Sequence, residues 1–366
     1  MKRFNFTYVC LLSVILTLLA LPLFGEDSLD ESAKGSTLIL PFARYSNDTG
    51  ILAGLIGNLN RYGVLDKGDA ILLSTSLQYS QKKQGVANLS VDYHTRNNEL
   101  KSFIDFGYKH WPDSFYGIGI ESKRSDREEY ISKKFEILGG VSKKILSEWS
   151  LGVHLDYGDY QLEAEENTLF LDEGSIVGVD GGRVFGFGLT MSKDTRNSYF
   201  FATEGEYWEL GASFFEDTLV GDYQFSNYVV DYRKYLPLKK GHSVAIQAFL
   251  GSQTNGVPFQ RMYQLGNYLR GYNRSRFINS KVNAFRAEYR LFPFSGEFGS
   301  RVGLVLFPEL GTVFSTVDDW ELKNYKLSFG MGIRFRALEG DSPLLRIDFG
   351  ITPESTNLII ISTEAF

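Results

Sequence analysis

The chain has 366 residues, and its 44 acidic side chains outnumber 38 basic ones, which gives a formal net charge of −6 at pH 7. This acidic balance argues against binding to nucleic acid, because such binding depends on many lysine and arginine contacts to phosphate. Cys10 is the only cysteine in the chain, so an internal disulfide is excluded. Phenylalanine, tyrosine and glycine are abundant, with 29, 21 and 37 copies.

The first element, residues 1–25, is predicted to be a secretory signal peptide. Lys2 and Arg3 precede the nearly apolar run Tyr8–Phe24, and polar sequence follows directly. An uncleaved membrane anchor is the alternative, which Pro22 and the shortness of the run disfavour. Residues 26–36 are then a short periplasmic segment, and residues 37–366 form one domain.

Sixteen strands are predicted after this segment, because apolar and polar residues alternate with a period of two. No later apolar run reaches about 18 residues, so no membrane-spanning helix is expected. The predicted strands are Thr37–Tyr45, Ile51–Arg61, Ala70–Ser80, Val86–His94, Leu100–Lys109, Tyr130–Lys144, Ser150–Gln161, Val184–Ser192, Tyr207–Phe215, Asn227–Leu236, Ser243–Ser252, Val282–Phe292, Arg301–Phe314, Lys326–Ala337, Leu344–Ile351 and Asn357–Phe366.

The strand Val282–Phe292 shows what the alternation implies. Successive side chains leave a strand on opposite faces, so Arg286, Glu288 and Arg290 share one face while Phe285 lies on the other. Three charges in a row cannot face lipid or a dry core, but they can face a water-filled lumen. We therefore predict an all-β fold, a transmembrane antiparallel up-and-down β-barrel of about 16 strands. A soluble β-sandwich, the alternative, does not easily explain so many strands with charged inward faces.

The connections predict how the barrel is oriented. Residues 111–129, 162–183 and 253–281 are long links, whereas residues 95–99 and 146–149 are short. Outer-membrane barrels have short periplasmic turns and longer external loops. An even strand number then places both termini in the periplasm. The last strand departs from the alternation, since residues 358–361 form an apolar block, and its register against the first strand is poorly specified.

Signals for an enzyme are faint. The histidines lie on separate elements without the spacing of metal ligands, at His94, His110, His154 and His242. The chain has neither a Gly-x-Ser-x-Gly elbow nor a phosphate-binding glycine loop. We therefore predict no catalytic residue, no metal and no cofactor. A Ser/His pair on the lipid face, as in outer-membrane phospholipases, and cation binding by the acidic residues between 163 and 173 remain alternatives.

Four short motifs carry a resemblance to a known family. They are the turn Asp194, Arg196 and Gly205, the loop Leu269-Arg270-Gly271-Tyr272, the strand Phe307, Glu309 and Gly311, and the strand Gly330-Met331-Gly332-Ile333-Arg334. In this order they resemble the BamA/TamA-like barrels of the Omp-eighty-five superfamily, also called bacterial surface antigens. The Arg270 loop is followed by an Asn-rich link and a Glu-Tyr-Arg strand, as in that family.

The resemblance implies that the loop folds back into the lumen and that Arg270 pairs with Glu309, where the family usually has aspartate. Gly332 and Arg334 would face the lumen, and Asp194, Arg196 and Gly205 would form a periplasmic turn. Gly271 is expected to supply a positive φ, and Gly311 to leave room for the loop. The first and last strands would open laterally, as members of the family are thought to do.

The implied function is insertion or translocation of polypeptide, or of lipid, at the outer membrane. The partners would be outer-membrane lipids, a polypeptide client and a separate periplasmic protein, because residues 26–36 are too short for the periplasmic modules of the superfamily's larger members. A porin-type passive transport channel is the alternative, since a barrel of about sixteen strands is wide enough for water.

Overall fold

The computed structural model describes residues 35–46, 50–63, 69–95, 99–164, 176–292, 301–316, 319–336, 344–361 and 364–366. The predicted signal peptide and residues 26–34 of the predicted periplasmic segment lie outside these ranges, and Gly35 and Ser36 belong to the first strand. Within the described ranges, no helix is both long enough and apolar enough to cross a membrane.

Strands make up most of the described chain. They are β1 (Gly35–Ser46), β2 (Gly50–Tyr62), β3 (Ala70–Ser80), β4 (Gly85–His94), β5 (Leu100–Phe115), β6 (Glu128–Leu146), β7 (Trp149–Ala164), β8 (Gly182–Asp194), β9 (Gly205–Phe215), β10 (Phe225–Pro237), β11 (His242–Gln253), β12 (Tyr263–Gln264), β13 (Ile278–Asn279), β14 (Lys281–Leu291), β15 (Val302–Phe314), β16 (Lys326–Arg336), β17 (Leu344–Ile351) and β18 (Thr356–Ile361). Short 3-10 turns lie at Arg124–Asp126, Phe259–Arg261, Leu265–Asn267, Arg274–Arg276 and Leu322–Asn324.

One antiparallel sheet of 16 strands follows the chain order, with β11 next to β14, and β12 and β13 form a separate two-stranded ladder. All sixteen predicted strands are present, and β3 and β17 have the predicted bounds. This confirms the predicted up-and-down barrel architecture.

Two strand ends differ from the prediction by more than three residues. Strand β5 continues through Pro112 to Phe115, since its ladder with β6 extends to Phe115 opposite Glu128 and the Phe115 ring packs against Phe259. The last strand was predicted to reach Phe366, but β18 ends at Ile361 and residues 364–366 are not in a strand. Glu364 and Phe366 instead contact Arg334 and Arg290 of the lumen wall, which hold this segment away from the β17 ladder.

The two faces of the sheet differ as the alternation predicts. On β16, Phe329 and Met331 are 55% and 60% exposed on the outer face, whereas Ser328 and Arg334 on the inner face are fully buried. An apolar outer face can contact lipid, and the inner face supplies polar groups to the lumen.

The seam between the first and last strands is the weak point of the barrel. Each neighbouring pair of strands in the sheet forms a ladder, but in the part of the chain that the structure describes, no ladder joins β1 to β18. Strand β18 has 6 residues and β1 has 12. Because Leu358 and Ile360 face outward as apolar residues and Ile359 and Ile361 are apolar as well, the pattern does not fix one register.

The barrel has two different ends. The long-loop end carries residues 116–127, residues 176–181 before β8, and residues 254–280. The short-turn end carries the first residue of β1 and the turns at residues 147–148 and 238–241. The connection at residues 195–204, which contains the predicted Asp194 turn motif, also belongs to the short-turn end.

Candidate functional site

The connection between β11 and β14, Thr254–Ser280, folds into the barrel, and we call it the lumen loop. Strands β12 and β13 pair at its neck, where Tyr263 lies opposite Asn279. Its apolar side chains cluster with those of the wall. The buried members are Leu265, Leu269, Tyr272 and Phe277 of the loop, Val282 and Ala284 of β14, Val313 of β15, and Ile120. Burial of these side chains draws the loop onto the β14 and β15 wall.

Arg270 lies at the tip of the loop and contacts three strands. Its Nε donates to Glu309 Oε1 of β15 at 2.6 Å, and its backbone N–H donates to Glu309 Oε2 at 2.7 Å. Its Nη1 donates to Glu288 Oε1 of β14 at 2.7 Å and to Asp348 Oδ2 of β17 at 2.8 Å. All three carboxylates are fully buried in side-chain terms. Arg270 is therefore an anchor that fastens the loop to several strands at once.

Aromatic and electrostatic contacts keep the anchor charged. The guanidinium carbon of Arg270 lies 3.4 Å from the centre of the Phe307 ring, a cation–π contact. Burial lowers the pKa of Arg270, but Glu309, Glu288 and Asp348 raise it by more, so the pKa lies above its ordinary value. The surrounding carboxylates therefore stabilise the charged form of Arg270.

Glycines in the wall and in the loop allow this close approach. A Cβ on Gly350 would lie 2.7 Å from the Gly271 nitrogen, and one on Gly311 would lie 2.9 Å from Leu269 Cδ1. Gly271 itself does not have the positive φ that the sequence led us to expect. It is needed for space instead, because a Cβ there would lie 2.4 Å from Thr352 Cγ2.

The remaining motif residues of this region join the same cluster. Arg334 of β16 donates from Nη1 to Asp348 Oδ1 at 2.6 Å, so it shares that carboxylate with Arg270. Gly332 leaves room for this carboxylate, since a Cβ there would overlap Asp348 Oδ1. Tyr272 packs edge-on against Phe277 with ring centres 5.6 Å apart.

A second anchor holds the loop to the other side of the lumen. Arg261 forms an ion pair with Asp156 of β7, and its Nη1 lies 3.8 Å from Glu136 Oε1 of β6 and donates to the Tyr160 hydroxyl at 3.3 Å. Since Arg270 is fastened to β14, β15 and β17, the loop crosses the lumen between two walls.

A third arginine closes the loop at the long-loop end. Arg276 donates from Nε to Glu354 Oε2 at 2.8 Å and from Nη1 to Ser122 Oγ at 3.0 Å. These contacts tie the loop to the β17–β18 and β5–β6 connections.

A family model described as the Omp85 superfamily domain matches residues 67–357, which is most of the chain and includes every motif named above. The chain belongs to the Omp85 superfamily. It is therefore an outer-membrane barrel. Comparison with curated protein sequences found no match.

Solved structures similar to this Omp85 barrel have the same fold. BamA from Haemophilus ducreyi lacking POTRA domains 1–3 matches with a TM-score of 0.56 and 14% identity over 90% of this chain and 69% of that chain. CdiB from Acinetobacter baumannii matches with a TM-score of 0.52 and 12% identity over 92% of this chain and 59% of that chain. CdiB from Escherichia coli matches with a TM-score of 0.56 and 10% identity over 92% of this chain and 62% of that chain. The chain thus spans less than two thirds of each CdiB chain.

The turn motif of the Omp85 barrel is built separately from the Arg270 cluster. Arg196 donates from Nε and Nη2 to the two carboxylate oxygens of Asp194, each at 2.8 Å. Gly205 has a φ of +100°, and a Cβ there would lie 2.2 Å from the Thr195 carbonyl oxygen. The structure thus brings these three residues together at the short-turn end.

Histidines do not assemble a recognisable catalytic site in the described ranges. His154 Nε2 lies 3.1 Å from Ser213 Oγ, but the pair lines the lumen, and the other ring nitrogen faces Thr190 Oγ1 rather than a carboxylate. In the same ranges, no group of three His, Cys, Asp or Glu side chains is placed to hold a metal ion.

Sequence reasoning did not identify three residues of the anchors, namely Asp348 and Asp156 of the wall and Arg261 of the loop. Asp348 gave a usable signal, because Arg346 and Asp348 are charged at alternate positions of an otherwise apolar strand. Glu288 was predicted to face the lumen, but its contact with Arg270 was not. The Arg261–Asp156 contact joins residues 105 apart along the chain, and no local sequence pattern predicts it.

Proposed function

We propose that this Omp85 barrel inserts or translocates polypeptide at the outer membrane and does not act as an open pore. The observation that carries the proposal is the lumen loop, fastened by Arg270 to β14, β15 and β17 and by Arg261 to β6 and β7. A passive channel needs a continuous aqueous path. A segment fastened at both walls obstructs that path. Because the lumen is obstructed, we place the insertion or translocation of polypeptide at the strands of the barrel wall.

The seam supports polypeptide as the substrate. Strand β1 is twice as long as β18, and in the described ranges its outer edge has no partner strand. A free edge presents backbone N–H and C=O groups that pair with an added strand. A client strand can therefore extend the sheet at β1, which is a mode of recognition that a small solute cannot use.

The orientation that accompanies this proposal places the short-turn end in the periplasm, since outer-membrane barrels have short periplasmic turns. Both ends of the chain then lie on the periplasmic side. A separate periplasmic protein would deliver the client there, and outer-membrane lipids would surround the apolar outer face.

The second candidate function is a porin-type channel for small solutes. The wall of 16 strands and two cavities of about 480 and 860 Å³ inside it favour this function. The loop and its two anchors oppose it, because they divide the lumen that a solute would cross.

The test is a comparison of client folding and solute flux in the same liposomes. Purified barrel is reconstituted, an unfolded outer-membrane β-barrel client is added, and its folding is followed by protease protection and by its mobility in unheated gels. We expect the barrel to accelerate client folding relative to empty liposomes, without swelling of the liposomes in sugar solutions. Rapid swelling without acceleration would replace the proposed function by the porin alternative.

A further inference from the structure

The last residues of the chain occupy a built site in the lumen wall, which we call the tail site. Phe366 is 6% exposed and packs with Tyr235 of β10, Ala245 of β11 and Ala202, and Ala365 lies against the same cluster. Arg290 of β14 donates from Nη2 to the Phe366 carbonyl oxygen at 3.3 Å. The segment is therefore bound through both its ring and its backbone.

Two arginines cover the Phe366 ring. The guanidinium carbon of Arg286 lies 4.8 Å from the ring centre, and that of Arg290 lies 5.6 Å from it. Arg286 is 7% exposed and is hydrogen-bonded to the neutral Gln247. The aromatic ring supplies the attraction that a carboxylate would otherwise provide to this buried cation.

The charges of the wall explain why the tail site binds an acidic side chain, Glu364, two residues before Phe366. Five arginines face three carboxylates in this cluster, each 7% exposed or less. They are Arg270, Arg286, Arg290, Arg334 and Arg346 against Glu288, Glu309 and Asp348. Asp231, the neighbouring acid of the wall, is paired with Arg233. The cluster therefore lacks negative charge.

Glu364 supplies part of that charge. Its Oε1 lies 2.7 Å from Arg334 Nε, and its side chain is 7% exposed. Arg346, which is 7% exposed, keeps an Nη1 group without a hydrogen-bond partner among the described residues. Its Nε lies 3.2 Å from Asp348 Oδ2, but Arg270 and Arg334 share that carboxylate. Buried cations are costly unless their charge is balanced, so the wall favours a segment that brings a further carboxylate to this point.

We propose that the tail site binds a polypeptide segment with an acidic side chain two residues before an aromatic one, and that Glu364–Phe366 occupies it in this chain. A cavity of about 860 Å³ adjoins the segment and is lined in part by Tyr199, Phe200 and Arg233, which gives an incoming segment space to displace it. The binding of Glu364–Phe366 in the tail site is inferred from the contacts alone. The competition of a client segment for the same site rests on the proposed function.

The test measures how fast a thiol at residue 365 reacts with a water-soluble maleimide in the folded barrel. The variant is Ala365→Cys, with Cys10→Ser so that the thiol is unique, and Lys240→Cys on the exposed β10–β11 turn is the accessible reference. We expect residue 365 to react at least about tenfold more slowly than residue 240. Adding Glu364→Gln or Phe366→Ala should raise its rate about tenfold, equivalent to ~1.4 kcal/mol, whereas Thr356→Ala, on the exposed face of β18, should not.

A peptide containing Glu-Ala-Phe should likewise accelerate the reaction at residue 365, and a matched peptide containing Gln-Ala-Ala should not. Equal rates in all tail variants would overturn the occupation, and equal effects of the two peptides would overturn the recognition pattern. The labelling requires no client insertion. If the barrel fails the insertion assay but shows the expected labelling rates, the proposed function alone is refuted. If it inserts clients but does not show these labelling rates, the inference about the tail site alone is refuted.

Discussion

Two parts of the lumen wall use different chemistry. The wall of β14 to β17 carries buried arginines and carboxylates that hold the loop, whereas the wall of β2 to β5 carries small polar side chains such as Asn58, Ser74 and Asn88. In the second region, hydrogen bonds join neighbouring strands, as from Ser74 Oγ to Asn58 Oδ1 at 2.9 Å. One wall thus holds a segment in place, whereas the other lines a cavity of about 480 Å³ with small polar groups.

The largest expected effect comes from removing what the first wall holds. Deletion of residues 263–278 should raise the conductance of the barrel in planar bilayers, because a wall of sixteen strands without the loop leaves an aqueous channel. The intact protein should show small and fluctuating currents. A large, steady conductance that the deletion leaves unchanged would show that the loop does not close the lumen and would favour the porin function.

A smaller effect is expected where the loop reaches the opposite wall. Arg261→Ala removes the contacts with Asp156 and Glu136, and the loss of charged hydrogen bonds should weaken loop docking by about 1.5 to 3 kcal/mol. Protease sensitivity of the loop in folded barrel measures this change. Arg274→Ala, an exposed arginine of the same loop, is the control and should be silent. Equal sensitivity of the two variants would mean that Arg261 does not anchor the loop.

The smallest effect is expected from one added methyl group. Gly350→Ala places a Cβ 2.7 Å from the Gly271 nitrogen, which should cost the docked loop about 1 to 3 kcal/mol. Gly107→Ala in the second wall meets its nearest neighbour at 3.6 Å, an ordinary contact, and should have no effect. Matching loop protection in the two variants would show that close approach of the loop to β17 is not required.

The features of the barrel wall differ in whether the sequence could predict them. Alternation is local, so all sixteen strands and the inward charges of β14 were predictable from the chain. The Arg270–Glu309 contact was expected from the resemblance alone, and the structure extends it to Glu288 and Asp348. The curvature of the wall determines which inward residues of β14, β15 and β17 contact the Arg270 guanidinium. The alternation of residues along the sequence carries no information about that curvature.

The end of β18 was missed for a related reason. Residues 357–366 alternate poorly, and the sequence offered no reason to end the strand at Ile361. The competing interactions are Arg334 with Glu364 and Arg286 with Phe366, which join residues distant in the chain. Tertiary contacts to buried charges therefore override local strand preference at this point.

The most direct measurement of the central claim, that Arg270 holds the loop through buried carboxylates, is a double-mutant cycle with Glu309. Arg270→Ala should cost loop docking about 3 to 5 kcal/mol, since it removes three buried ion pairs and leaves Glu309 buried without its arginine partner. Glu309→Gln should cost less, because Glu288 and Asp348 remain. In protease protection of the loop, the double variant should be no worse than Arg270→Ala, which gives a coupling of at least about 1.5 kcal/mol. Strictly additive effects, or equal protection in all four proteins, would contradict the claim.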